Sequence, residues 1–388
     1  MVSQYISHAM EKSSWIRKMF EAGNEMKRIH GAENVFDLSL GNPIVEPPDA
    51  FFKTLEKLAA DRNSGKHRYM SNAGFADVRE KIADSLSNRQ ILDTKPEHIV
   101  MSCGAGGGIN VILRTLLDQG DEVVVLAPFF SEYQFYIRNH HGKVVVAETD
   151  HNFNISIKNL EKKISNKTRA IILNSPNNPS GRIYDEATLQ QFVELLNHKQ
   201  NKFNEEIYII SDEPYREIVY NQKSVPSVTK MYDNSFLVYS WSKSLAIPGD
   251  RIGYIAMNSK MKHAKKIVDG LIFCTRILGF INAPAIMQLA VAELLETTVD
   301  VDYYERKKNY LYQKLSKAGY DVVEPEGTFY IFPKIPESDD LTFVERAKEK
   351  KVLIVPGMGF GRKGYFRISF CTDDRTIQKA CEQLSSLL

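Results

Sequence analysis

Short apolar runs alternate with helical patterns through the middle of this 388-residue chain, and that alternation restricts its possible folds more than any other feature. The runs are VFDLSL from residue 35, then IVMS near 99, EVVVLA near 122, KVVVAE near 143, AIILN near 170, IYIIS near 207, FLVYS near 236 and IGYIAM near 252. Each is far shorter than the ~20 residues that cross a bilayer and reads as a buried strand. Repeated strand and helix units of this kind build a mostly parallel sheet covered on both faces, so the middle of the chain is α/β. From about 288 onward the stretch MQLAVAELLETTVDVDYYERKKNYLYQKLSKAG predicts one long charged helix, followed by short strands at YDVV, TFYIFP, VLIVP and YFRISF. That is the texture of a smaller α+β domain. Residues 3–30 place Trp15, Ile16, Met19, Phe20, Met26 and Ile29 at helical spacing, with Gly31 as the stop. This helix has no sheet of its own, and either packs on the small domain or reaches another subunit. The expected division is an N-terminal arm with part of the small domain over 1–44, a large domain over 45–287 and a small domain over 288–388.

Composition narrows the functional classes. Fifty Lys+Arg against forty-eight Asp+Glu leave a net charge of +2, so no overall field draws nucleic acid or an anionic membrane, and any anion must be recognised locally. The first twenty residues carry charges throughout and lack the apolar core of a secretory signal, so export is not expected. Four scattered cysteines at 103, 274, 371 and 381 form no CxxC pair and suit a reducing, cytoplasmic setting. Without export, the sequons at Asn154 and Asn166 have no chemical consequence. The nine histidines form no HExxH, and the adjacent pair His140 and His141 does not share one helical face, so no metal site is expected. A dinucleotide fingerprint fails on spacing: begun at Gly104 it needs Gly or Ala at 109 and finds Ile109, and begun at Gly106 it finds Val111.

The informative segment is YSWSKSLAIPGDRIGYIAMN at 239–258, where a lysine sits beside two serines and eight residues before an arginine, between two buried strands. Upstream, IYIISDEPYREIVY puts Asp212 and Tyr215 just past the end of an apolar strand, where open α/β sheets collect ligand-binding groups. LNSPNNPSG at 173–181 closes another strand with a Ser-Pro and an Asn-Pro step, and SCGAGGGIN at 102–110 joins a strand to a helix whose first N–H groups suit a phosphate. Each segment alone also has a bland reading: a solvated loop, a helix-start carboxylate, a turn, or glycines that merely allow close packing.

Together and in this order, these segments resemble the class I and II aminotransferases, the fold type I pyridoxal-phosphate enzymes. The resemblance runs from LSLGNP at 38–43 through KHRYMSNAGFADVREKIA at 66–83 to RISF at 367–370. It implies a large domain on a mostly parallel seven-stranded sheet, formed by the runs from IVMS to IGYIAM, and a smaller α+β domain. It implies pyridoxal 5'-phosphate as cofactor and a homodimer with shared active sites. By the same resemblance, Lys243 is similar to the lysine that forms an imine with the cofactor, a role suited to a primary amine that can afterwards serve as a base. Asp212 is similar to the carboxylate that keeps the pyridine nitrogen protonated. Tyr215 and Asn178 resemble the pair that bonds the ring hydroxyl, and Phe130 the ring stacked on the cofactor, although a core phenylalanine is an equally plain reading.

The phosphate is expected on the main-chain N–H groups of Ala105 and Gly106, on Ser240 and on Arg251, with Tyr69 reaching it from a second subunit. Gly106 departs from the family pattern, where many members carry a polar side chain, so one phosphate contact is either lost or supplied by water. The substrate α-carboxylate is expected on Arg367, helped by Asn178 and the backbone of Gly41; the plain reading of Arg367 is an edge strand with its charge in solvent. Arg276, in FCTRILGFINAP, is similar to the arginine that anchors a second substrate carboxylate, although its register is one or two positions off. The expected reaction is ping-pong transfer of the amino group of an L-amino acid to a 2-oxo acid, with glutamate and 2-oxoglutarate as one pair. Carbon-sulfur lyases and decarboxylases share the same constellation and stay open, as does, more remotely, a non-catalytic ligand-binding or regulatory protein.

Overall fold

A computed structural model describes residues 2–11, 15–62, 65–337 and 339–388. Twelve strands occur among them: β1 (Phe36–Asp37), β2 (Ile99–Ser102), β3 (Glu122–Ala127), β4 (Lys143–Glu148), β5 (Thr168–Asn174), β6 (Tyr208–Asp212), β7 (Ser235–Ser240), β8 (Gly253–Met257), β9 (Tyr330–Ile331), β10 (Val352–Leu353), β11 (Val355–Pro356) and β12 (Phe366–Ser369). Seven of these form one sheet in the order β2-β8-β7-β6-β5-β3-β4. All pairings within it are parallel except those of β8, which runs antiparallel to both β2 and β7. The link from β7 to β8 contains no crossover helix, so the chain turns back on itself there. Helices cover both faces, which is why Val123, Val124 and Val125 are all fully buried; β4, at the sheet edge, is only partly so.

Because β3 through β7 run the same way, their C-terminal ends open on one rim. The order also reverses there: the chain moves outward from β3 to β4, then returns to the other side of β3 with β5. A crevice at such a reversal is where open α/β sheets receive ligands.

The second unit is built on the three-stranded antiparallel sheet β11-β12-β9 and the parallel pair β1-β10. Its core joins Phe329, Ile331, Phe343, Val355 and Phe366 to Tyr215, Ile218 and Tyr220, which follow β6, so the two units pack directly against each other beside the rim. Met19 is buried in the same core, which ties the helix Trp15–His30 to the small unit.

Three local expectations change. The helix expected over 3–30 is described as Gln4–Glu11 and Trp15–His30, with residues 12–14 outside the described residues. The long helix expected from 288 is two helices, Ala285–Val291 and Val301–Ala318, because Asp300 caps the second by accepting from the Tyr303 N–H at 3.3 Å. Leu294 packs with Trp241 in the large unit and Val299 with the small one, so the packing changes hands between them. YDVV is not a strand: Gly319 ends the helix in the left-handed region, and Tyr320 turns inward to donate to the Leu384 carbonyl at 2.8 Å.

Candidate active site

Each parallel strand delivers a polar residue to the rim. β6 ends on Asp212, which is 5% exposed. Its Oδ2 accepts from the Tyr133 hydroxyl, while Oδ1 has no partner. Burial pushes this carboxyl up to about 7, with the Tyr133 bond opposing the rise and nearby Glu213 adding to it. β7 ends on Ser240, which caps the turn Trp241–Ser244, accepting from the Ser242 N–H at 3.2 Å with its Oγ 2.7 Å from Ser242 Oγ. Lys243 lies in that turn, and its Nζ donates to the Gly41 carbonyl at 2.8 Å. Burial draws its amine down to about 8, Arg367 and Arg251 acting in the same direction and Cys371 against it. Such an amine is neutral far more often than a surface lysine and is available as a nucleophile or base.

A Cβ at Gly41 would overlap the Tyr330 hydroxyl, so a side chain there would displace that ring. The strand β5 leads into Asn178, whose Oδ1 accepts from Arg367 Nη1 at 3.0 Å. Arg367 lies on β12, the middle strand of its sheet, and is 1% exposed, so its charge does not reach solvent. Its Nη2 donates to the Ser39 carbonyl at 2.6 Å, the rings of Tyr330 and Phe360 sit 4.4 and 4.8 Å from its guanidinium, and Nε has no partner. A buried guanidinium is costly without an anion, and among the described residues no carboxylate pairs with it. Tyr215 is buried with its hydroxyl 3.2 Å from that of Tyr330, and burial holds it protonated.

The opposite end is cationic. The helix Gly104–Leu116 begins with Ala105 and Gly106 in its first turn, where backbone N–H groups have no helical acceptor. Arg251 donates from Nη1 to the Pro248 carbonyl at 2.9 Å, and its Nη2 would stand 2.7 Å from a Cβ at Gly104, whose φ of +71° already favours glycine. Phe130, after β3, meets Tyr133 edge to face at 5.5 Å.

Every residue singled out from sequence except Tyr69 and Arg276 lines one cavity of about 280 Å³. Tyr69 is 89% exposed and borders a separate surface hollow with Phe280 and Asn282. Arg276 is exposed at the end of the helix Ala264–Ile277, over the Phe273 ring. The two stretches are tied together, since Asn72 Nδ2 donates to the Ile281 carbonyl and Asn282 Nδ2 to that of Ser71, each at 2.8 Å. Residues at the site that the sequence reading does not name include Tyr133, Tyr136, Asn174, Ser242 and Tyr330. Ser242 stands within S-W-S-K and Tyr330 within GTFYIFP, and both stretches were legible. Among the described residues no cluster could hold a metal ion and no helix is long and apolar enough to cross a membrane.

Comparison with known proteins identifies the family and the fold. The family model "Aminotransferase class I and II" matches residues 33–384. The chain is 33% identical over 395 residues to an aspartate aminotransferase of Thermotoga maritima, covering 100% of this chain and 99% of that protein. It is 29% identical to aromatic-amino-acid aminotransferase 2 of Thermococcus litoralis, covering 98% and 96%. The crystal structure of an aminotransferase from Eubacterium rectale superposes with a TM-score of 0.96 at 36% identity, covering 100% of this chain and 98% of that one.

Proposed function

The chain belongs to the class I and II aminotransferases, which are pyridoxal-phosphate enzymes of fold type I, and from that premise we propose that it transfers the amino group of an L-amino acid to a 2-oxo acid at this cavity by a ping-pong mechanism. The observation that carries the reading is a buried guanidinium without a counter-ion, Arg367, in one cavity with the Lys243 amine and the half-satisfied Asp212 carboxylate. Pyridoxal phosphate fits the donor set: a cationic end for a phosphate, an unpartnered buried carboxylate oxygen for a protonated ring nitrogen, and an amine for an aldehyde. When bound, the cofactor supplies an aldehyde that condenses with amines and a ring that accepts electrons.

In this reading Arg251, Ser240 and the N–H groups of Ala105 and Gly106 hold the phosphate, and Phe130 lies against the ring. Asp212 keeps the ring nitrogen protonated, and Tyr133 holds the carboxylate ionised by donating to it. Tyr215 and Asn178 donate to the ring hydroxyl. Arg367 would take the substrate α-carboxylate, with the Gly41 backbone alongside, and the Lys243 amine would move the α-proton. A local base already drawn toward neutral pH suits that step.

Glutamate and 2-oxoglutarate are proposed as one substrate pair, with Arg276 supplied by a second copy of the chain. Tyr69 and Arg276 are absent from their own cavity yet lie on hydrogen-bonded stretches, which supports a homodimer that delivers them together. The free cysteines support a reducing, cytoplasmic setting. Amino acids screened against several 2-oxo acids, with free ammonia and sulfide followed in parallel, test the reaction type: paired oxo-acid and amino-acid products support transfer, and ammonia or sulfide without them supports a lyase. Arg276→Ala assayed with glutamate and alanine tests the anchor, which requires selective loss with glutamate.

A further inference from the structure

Gly106 stands in the first turn of the helix Gly104–Leu116 and lines the same cavity as Arg251. A Cβ built on Gly106 would stand 3.0 Å from the Tyr136 hydroxyl, with the tyrosine ring carbons behind it. Tyr136 comes from the helix Tyr133–Asn139 and lines the same cavity as Gly106, Ser240, Ser242 and Arg251. Among the described residues none accepts a hydrogen bond from its hydroxyl.

We propose that the Tyr136 hydroxyl donates a hydrogen bond to the cofactor's phosphate. The inference rests on the aminotransferase reading above. Burial and the neighbouring Glu132 and Asp212 push the phenol up to about 12, while Arg251 pulls it down, so at neutral pH it carries its proton and can donate. A phosphate dianion is the acceptor that makes such a bond charge-assisted, and the Arg251 cation places that charge at this end of the cavity. A Cβ at 106 would press on the hydroxyl at 136, which would have to give by a few tenths of an ångström to admit it.

The test removes the hydroxyl from the protein and the phosphate from the ligand separately. Cofactor-free wild type, Tyr136→Phe, Gly106→Ser and the double variant are titrated with pyridoxal 5'-phosphate and with pyridoxal, which lacks the phosphate. Tyr136→Phe should weaken pyridoxal 5'-phosphate about tenfold, the usual scale for one bond to a charged group, and leave pyridoxal within about twofold. Gly106→Ser alone should also weaken the phosphate ligand by crowding the phenol. In the Tyr136→Phe background, which has no hydroxyl to crowd, the same serine should restore affinity. No loss in Tyr136→Phe, equal loss for both ligands, or a change confined to substrate KM would overturn the inference while leaving the aminotransferase reading intact. A wild-type protein that binds neither ligand would instead sink that reading, and this inference with it.

Discussion

The Tyr133 hydroxyl donates to Asp212 Oδ2 at the buried floor of the cavity, joining two residues 79 positions apart. No other protein donor to this carboxylate occurs among the described residues, and its second oxygen stays open toward the site. In a medium that favours neutral carboxyl groups, that bond works against protonation. Tyr133→Phe should therefore push Asp212 further up, weaken its hold on the ring-nitrogen proton and slow α-proton removal at least about tenfold, with the cofactor still bound. Single-turnover absorbance decay measures this, and a wild-type rate would remove Tyr133 from the account.

Asp212 also makes the stability of the cofactor-free protein depend on pH. Its folded value of about 7 lies above the ordinary 3.8. The folded state therefore binds the extra proton between those values, and the stabilisation is full below 3.8 and lost as pH rises through 7. Cofactor-free wild type should lose thermal stability between pH 5 and pH 8, and Asp212→Asn should lose less. Parallel melting curves for the two proteins would mean that Asp212 is solvated or paired.

Arg367 offers an open Nε beside two occupied Nη groups. Arg367→Lys keeps the charge but loses the planar fork. It should raise the KM for amino acids by roughly tenfold to a hundredfold, the range for losing a bidentate charged contact, with an unchanged cofactor spectrum. A change in phosphate affinity instead would mean that Arg367 and Arg251 have exchanged roles.

If Tyr69 acts across a subunit interface, two inactive proteins should complement. Mixing Lys243→Ala with a strongly impaired Tyr69 variant should recover part of the activity, because one site in each hybrid dimer regains both wild-type residues. Proven subunit exchange without recovery would confine Tyr69 to its own chain.

Much of this was legible because the strands and the site obey local rules. Val123, Val124 and Val125 announce a strand buried on both faces, and the residues following β5, β6 and β7 announce a rim. Tyr133 and Tyr136 were not legible, since in LAPFFSEY and the helix after it only Phe130 stands out, and their partners Asp212 and Gly106 lie far away in sequence. The break at Asp300 was missed because a charged helical pattern continues on both sides of a cap whose effect depends on one backbone turn. The plain edge-strand reading of Arg367 fails because the neighbours of β12 are set by tertiary pairing that four residues cannot encode.

The most direct test of the central claim is reduction of the cofactor-loaded protein with borohydride, followed by peptide mapping. The expected result is a yellow protein with one pyridoxyl label, on Lys243, the amine that burial draws down to about 8. Label on any other lysine, or a protein that takes up no pyridoxal phosphate, would contradict it.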